Sequence, residues 1–235
     1  MAVYISLTVV ACVLTVFFLV VRVTQKPVYG LLTKTLASLG FLALGTGGLV
    51  VQNGFLPDGL ALIPLGLAFG LVGDIVLDLK RAHSEYEGLY LTSGMVSFGI
   101  GHIVYFLALV LLATPYVGDL LIPALISLGI AAVVITVMMV VSIKLMHAKY
   151  GKHLVLGIVY GFILSFMTVF SIYIAILDRG FLLFGLGMAF FLISDIILNT
   201  MYFVEGQKEN KLYCILNHAT YYAAQILIAS FVYLI

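Results

Sequence analysis

The sequence predicts an all-α polytopic membrane protein, with eight transmembrane helices in two parallel four-helix repeats and both termini outside the cytoplasm. Three observations carry this. The chain is 64% hydrophobic and only 9% charged over 235 residues, where a soluble domain carries about 25% charged residues. Its mean hydropathy is +1.25, so the apolar surface exceeds what one soluble core buries, and the solvent must be lipid. The apolar residues also fall into continuous runs of about 20, the length that crosses a bilayer. Finally, the basic residues gather at every second connection.

The runs lie near 2–21, 32–51, 60–79, 93–113, 119–141, 154–177, 180–203 and 213–234. The first lacks the basic leader of a signal peptide and is long enough to span, so it counts as a helix. Lys26-Pro27 breaks the chain after it. Asn53-Gly54 and Pro57-Asp58-Gly59 supply turn residues after the second. Helices satisfy their own backbone hydrogen bonds in lipid, and continuous apolar runs do not fit the alternation of a membrane β-barrel. The connections are short, so residues 1–235 read as a single transmembrane domain. Cys12 and Cys214 sit in different runs, as core packing, and suggest neither a disulfide nor a metal cluster. A net charge of +1 offers no basic patch for nucleic acid.

Orientation follows from the basic residues. Arg22, Lys26 and Lys34 follow the first run, and Lys80 and Arg81 the third. Lys144, Lys149 and Lys152 follow the fifth, Lys208 and Lys211 the seventh, and only Arg179 falls on the other side. The positive-inside rule makes those four connections cytoplasmic.

The third and seventh runs therefore point the same way, and they align without a gap. Phe69-Gly70-Leu71-Val72-Gly73-Asp74 matches Phe190-Phe191-Leu192-Ile193-Ser194-Asp195. In the following runs, Gly101-His102-Ile103-Val104-Tyr105 matches Asn217-His218-Ala219-Thr220-Tyr221. Two aspartates and two His-x-x-Tyr pairs in register favour a parallel repeat, with halves near 1–115 and 116–235, over chance likeness of apolar segments.

A helix rises 1.5 Å per residue. Asp74 then lies roughly 9 Å from Lys80, Asp195 roughly 15 Å from Glu205, and His102 and His218 roughly 10–14 Å in from the same side. An aspartate at the centre of a membrane helix costs roughly 2.5–3.5 kcal/mol on insertion scales, so Asp74 and Asp195 need a reason to be there. Residues four apart share a helix face. Asp78 lies on the Asp74 face and Asn199 on the Asp195 face. Tyr105 accompanies His102, and Tyr221, Tyr222 and Gln225 accompany His218. These groups can line a water-filled pocket in the cytoplasmic half. Bland readings stand beside them. Asp78 is also placed to be a solvated helix end, Lys34 to snorkel to the headgroups, the tyrosines to form an interfacial belt, and the histidines to be interhelical glue.

Two carboxylates sharing a low-dielectric pocket do not both ionise easily, which yields an acid and a base or electrostatic partner. Such a pair suits a reaction through an oxocarbenium-like cation. The chain has no Gly-x-Ser-x-Gly elbow, Walker loop or His-Glu-x-x-His.

The chain resembles the YhhN family of integral membrane proteins, whose characterised members are lysoplasmalogenases. The likeness rests on Thr33-Lys34 at the start of the second helix, Gly73-Asp74 with Leu77, Ser194-Asp195 with Leu198, and Tyr221-Tyr222-Ala223-Ala224-Gln225 in the last helix. The family's eight-helix plan covers the whole chain. This chain departs from the family in having Thr35 where a proline is frequent and Asn199 where an alanine is frequent. The resemblance implies hydrolysis of the vinyl ether bond of lysoplasmalogens bearing ethanolamine or choline, to a fatty aldehyde and a glycerophospho-base; no cofactor is expected and no metal ligands are assigned. One of Asp74 and Asp195 would donate the proton and the other would stabilise the cation and orient water. Ser194, Asn199, the histidines and the tyrosines would support or position them, and Lys34 is a candidate phosphate contact. The alkyl chain would lie among the apolar helices, with the site facing the cytoplasm of a multi-pass membrane protein. The first competing reading is a small-molecule or ion transporter, which predicts polar residues in the outer halves of the third and seventh runs, where the sequence is apolar. A metal-dependent lipid hydrolase is a third.

Overall fold

A computed structural model describes residues 1–52, 57–80, 84–208 and 210–235. Eight long helices carry the fold: α1 (Ala2–Thr24), α2 (Pro27–Val51), α3 (Leu62–Leu79), α4 (Glu87–Val117), α5 (Leu121–Val140), α6 (Leu154–Leu177), α7 (Leu182–Phe203) and α8 (Lys211–Phe231). Among the described residues there is no strand.

Each expected span is a helix, and the ends show why some limits moved. Pro27 opens α2, at a position where its missing N–H costs nothing. Pro57-Asp58-Gly59 forms the turn before α3, and Gly59 adopts φ +90°, which favours glycine. The expected Asn53-Gly54 turn and the basic Arg81 lie outside the described residues. α4 begins at Glu87, earlier than its apolar run. α5 stops being α-helical at Val140, and Val141–Leu145 continues as a π-helix, a wider turn that recurs near functional sites.

Seven of the helices, α1 to α7, are long and apolar enough to cross a membrane. α8 is the least apolar. Its polar residues Asn217, His218, Tyr221, Tyr222 and Gln225 are all buried, so its polarity faces the protein.

Successive helices pack as hairpins, α1 on α2, α3 on α4, α5 on α6 and α7 on α8. α8 then crosses to α2 and α1, and α4 packs on α6. α5 leans substantially on α6 alone. Phe41, Leu44, Leu67, Phe184, Ile228 and Phe231 are fully buried between α2, α3, α7 and α8. α1 and α5 turn valines such as Val13, Val16, Val133 and Val137 outward, as lipid-facing helices do.

Small residues set the closest approaches, as is usual where lipid offers no hydrophobic drive for helix association. A Cβ on Gly66 of α3 would stand 2.2 Å from a ring carbon of Tyr105 on α4, far inside van der Waals contact. Gly66→Ala is therefore expected to destabilise the fold by about 1–3 kcal/mol, the usual cost of overpacking. Pairing it with Tyr105→Leu should recover most of the loss in thermal melts of detergent-solubilised protein. An unchanged melting temperature for Gly66→Ala would show that α3 and α4 do not meet there.

Candidate functional site

The polar side chains converge where α1, α3 and α7 end and α2 and α8 begin. Asp74 and Asp78 lie one turn apart on α3 and are both buried. Arg22, in the last turn of α1, grips Asp78 with both ends of its guanidinium, at 2.5 Å and 2.8 Å. Lys34 of α2 puts its ammonium 3.0 Å from Asp74 and 3.9 Å from Asp78. Two cations thus meet two anions with their charges balanced, as burial of charge demands.

Asp74 accepts further bonds on a single oxygen. Ser38 donates to its Oδ2 at 2.6 Å and Tyr221 at 2.8 Å. Behind Tyr221, Gln225 Nε2 donates to the phenol oxygen at 2.9 Å. A Cβ at Gly70 would stand 2.6 Å from that nitrogen, so glycine there admits the amide. Tyr222 donates to the Lys34 carbonyl at 3.1 Å and lies 3.0 Å from Ser38 Oγ.

Asp195 on α7 has different neighbours. Tyr160 of α6 donates to its Oδ2 at 2.5 Å. Among the described residues no cation lies within ion-pair distance of it. Beside it, Asn217 Nδ2 donates to the Ser194 carbonyl and hydroxyl, both at 2.9 Å. His218 Nδ1 lies 2.7 Å from the Cys214 carbonyl. A carbonyl only accepts, so Nδ1 carries the hydrogen and Nε2 is left as an acceptor.

One cavity of about 480 Å³ joins the two carboxylates: Asp74 and Asp195 both line it, with Lys34, Ser194, His218 and Tyr221. Lys80, Glu87, Lys208 and Lys211 line it at the helix ends. Lys208 pairs with Glu87 at 2.7 Å. The Lys80 ammonium stands 3.5 Å from the Tyr202 ring centroid, and burial pushes its pKa down to about 7. A second cavity of about 80 Å³, between α4, α5, α6 and α7, shares Asp195 and Leu198 with the first.

The expected residues therefore divide. Asp74, Asp195, Lys34, Ser194, His218 and Tyr221 reach the large cavity. Asp78, Tyr222 and Gln225 stand behind them as partners. Asn199 lines the small cavity, accepting from Tyr150 and donating to Ser142, each at 2.8 Å. Two bland readings fail: Asp78 is a sealed ion pair instead of a solvated helix end, and Lys34 is buried against Asp74 instead of snorkelling. His102 and Tyr105 line neither cavity. His102 packs its ring 4.7 Å from that of Phe191 and 6.1 Å from that of Tyr160, and neither ring nitrogen has a partner among the described residues. Among the described residues, no three of His, Cys, Asp and Glu are grouped to hold a metal ion.

Three residues escaped the sequence reading. Arg22 looked like a topology anchor, and Ser38 and Tyr160 like ordinary helix residues. A signal existed in the spacing: Ser38 precedes Asp74 by 36 residues and Tyr160 precedes Asp195 by 35.

A model of the YhhN family matches residues 29–232, nearly the whole chain. No curated protein and no solved structure matches.

The ion cluster makes its own prediction. Arg22→Ala leaves the Asp78 carboxylate buried without its main partner, a loss of about 3–5 kcal/mol. Arg22→Met combined with Asp78→Leu is expected to restore most of the melting temperature. A double variant no more stable than Arg22→Ala would mean that the two side chains do not act as a pair.

Proposed function

The chain belongs to the YhhN family, and from that premise we propose that it is a membrane lysoplasmalogenase, hydrolysing the vinyl ether of a lysoplasmalogen to a fatty aldehyde and a glycerophospho-base. The observation that carries this reading is the shared cavity, in which two carboxylates with opposite surroundings face one space. Asp74 has an ammonium and two hydroxyl donors. Asp195 has one phenol and no cation among the described residues. Asp74 is then the standing carboxylate and Asp195 the group that holds a proton to give.

The chemistry follows from that division. Asp195 protonates the vinyl carbon remote from the ether oxygen, the π electrons forming the new C–H bond. The cation left behind is shared between carbon and oxygen, and the buried Asp74 carboxylate stabilises it. Water adds to the cationic carbon and gives its proton to Asp195, now a base. The hemiacetal then collapses: Asp195 returns its proton to the leaving glycerol oxygen as that C–O bond breaks, the hemiacetal hydroxyl gives up its proton through water to restore Asp195, and aldehyde and alcohol separate. His218 Nε2 and Tyr221 are placed to orient that water. Lys34 was expected to contact the phosphate, but Asp74 engages it. The phosphate falls to Lys80 and Lys211, which line the cavity nearer the helix ends.

The same reading places the cavity on the cytoplasmic face, because the lysines and arginines of four connections gather at that end. Both termini are then extracytoplasmic. The duplication of halves near 1–115 and 116–235 is supported by matched hydrogen bonds. Ser38–Asp74 answers to Tyr160–Asp195, and Arg22–Asp78, 56 apart, answers to Ser142–Asn199, 57 apart.

Purified protein is expected to release aldehyde from lysoplasmalogen in detergent micelles, with Asp74→Asn and Asp195→Asn each at least about 100-fold slower, the scale of general acid–base catalysis. No aldehyde from any vinyl ether lipid would sink the function, and full activity in either variant would sink the mechanism. The mouth adds a pH dependence. Lys80 loses its proton as pH rises through about 7, so KM for the phosphate-bearing substrate should rise across that interval. Lys80→Arg stays charged and should flatten the rise.

A further inference from the structure

The small cavity has a role that the catalytic cavity does not explain. It touches Asp195 and Leu198 on one side, where it meets the large cavity. Away from that junction its walls are apolar, with Leu91 and Met95 from α4, Ile135 and Met139 from α5 and Leu164 from α6. Its polar members are already engaged. Tyr150 bonds Asn199, Asn199 bonds Ser142, and Tyr160 bonds Asp195. A space whose polar groups are spent on one another accepts an apolar guest without an unpaired donor or acceptor. The methionines add adaptable walls.

The packing leaves a seam between α4 and α5. α1 and α5 hold corresponding places in the two halves. α1 closes against α8, where Phe18 sets its ring 5.1 Å from that of His218 and 5.4 Å from that of Tyr222. α5 has no comparable contact with α4 and rests on α6. The small cavity occupies the place where α4 and α5 fail to meet, and α5 presents Val133, Val137 and Val140 outward.

We propose that this cavity binds the first carbons of an unbranched aliphatic chain of a single-chain lipid, and that the seam between α4 and α5 leads the rest of that chain into the bilayer. The proposal deepens the lysoplasmalogen reading and rests on it for the identity of the headgroup. Asp195 then sits at the boundary between the wet cavity and the dry one. A lipid with its headgroup at the lysines and its chain in the seam is held with its first chain carbons beside that carboxyl group. The aldehyde leaves through the seam without crossing the polar cavity.

The test uses photolabelling of the whole protein in nanodiscs. The probe is a single-chain phosphocholine lipid with a diazirine close to the headgroup end of its chain. Label is expected on the peptides holding Met95, Met139 and Leu164. Met139→Phe on one wall and Leu164→Phe on the opposite wall should each cut labelling at least fivefold, while Val137→Phe, on the lipid side of α5, leaves it unchanged. The two fillings sit on different helices, so one variant that fails to fold leaves the other to decide. If labelling falls in the filled variants while the wild-type protein releases no aldehyde, the chain site stands and the reaction assigned above falls. Label unaffected by both fillings in folded protein, or confined to lipid-facing residues, overturns the proposal.

Discussion

The structure depends on one constraint: four charged side chains are buried inside a bundle of apolar helices. Arg22, Lys34, Asp74 and Asp78 come from three helices and balance one another within ion-pair distance. Any one of them alone in lipid would carry a cost of several kcal/mol. Together they fix the relative height and rotation of α1, α2 and α3, because a guanidinium clasping a carboxylate by both ends tolerates little displacement. α8 completes the arrangement by bringing Tyr221 to the remaining lone pairs of Asp74 and Tyr222 to the backbone of Lys34.

The second carboxylate is the exception that gives the site its chemistry. Asp195 lies towards the end of α7 as Asp74 does in α3, yet its companion from the preceding helix is a phenol and not an ammonium. Two carboxylates with different electrostatic surroundings thus face one cavity. The difference rests on what α2 and α6 contribute. Lys34 and Ser38 on one side are answered by Tyr160 on the other.

Much of this was legible in the sequence, because charge in an apolar run is conspicuous. Asp74 and Asp195 announced themselves as carboxylates at membrane depth, and eight helices followed from run length. What stayed hidden were the partners. Arg22 sits where a basic residue flanks a membrane helix by default, so its grip on Asp78 was indistinguishable from an anchor. Tyr160 is one tyrosine among 14, and only packing selects it. His102 erred the other way. Its match to His218 suggested a shared site, but Phe191 and Tyr160 pack around it and it lines neither cavity. Hydropathy also undercounts α8, since a helix that donates its polar face to a site looks too polar to span.

That α8 follows α1, α2 and α3 in the chain has a consequence for assembly. Chains enter membranes in order of synthesis, and the ion cluster draws on α1, α2 and α3 only. Its charges neutralise one another within the first 80 residues, while the ribosome is still at work. α8, with its asparagine, histidine, tyrosines and glutamine, arrives after them. It comes to a docking groove that already holds Asp74, Ser38 and Ser194 as partners for Tyr221, Tyr222 and Asn217, while His218 and Gln225 bond within α8 itself.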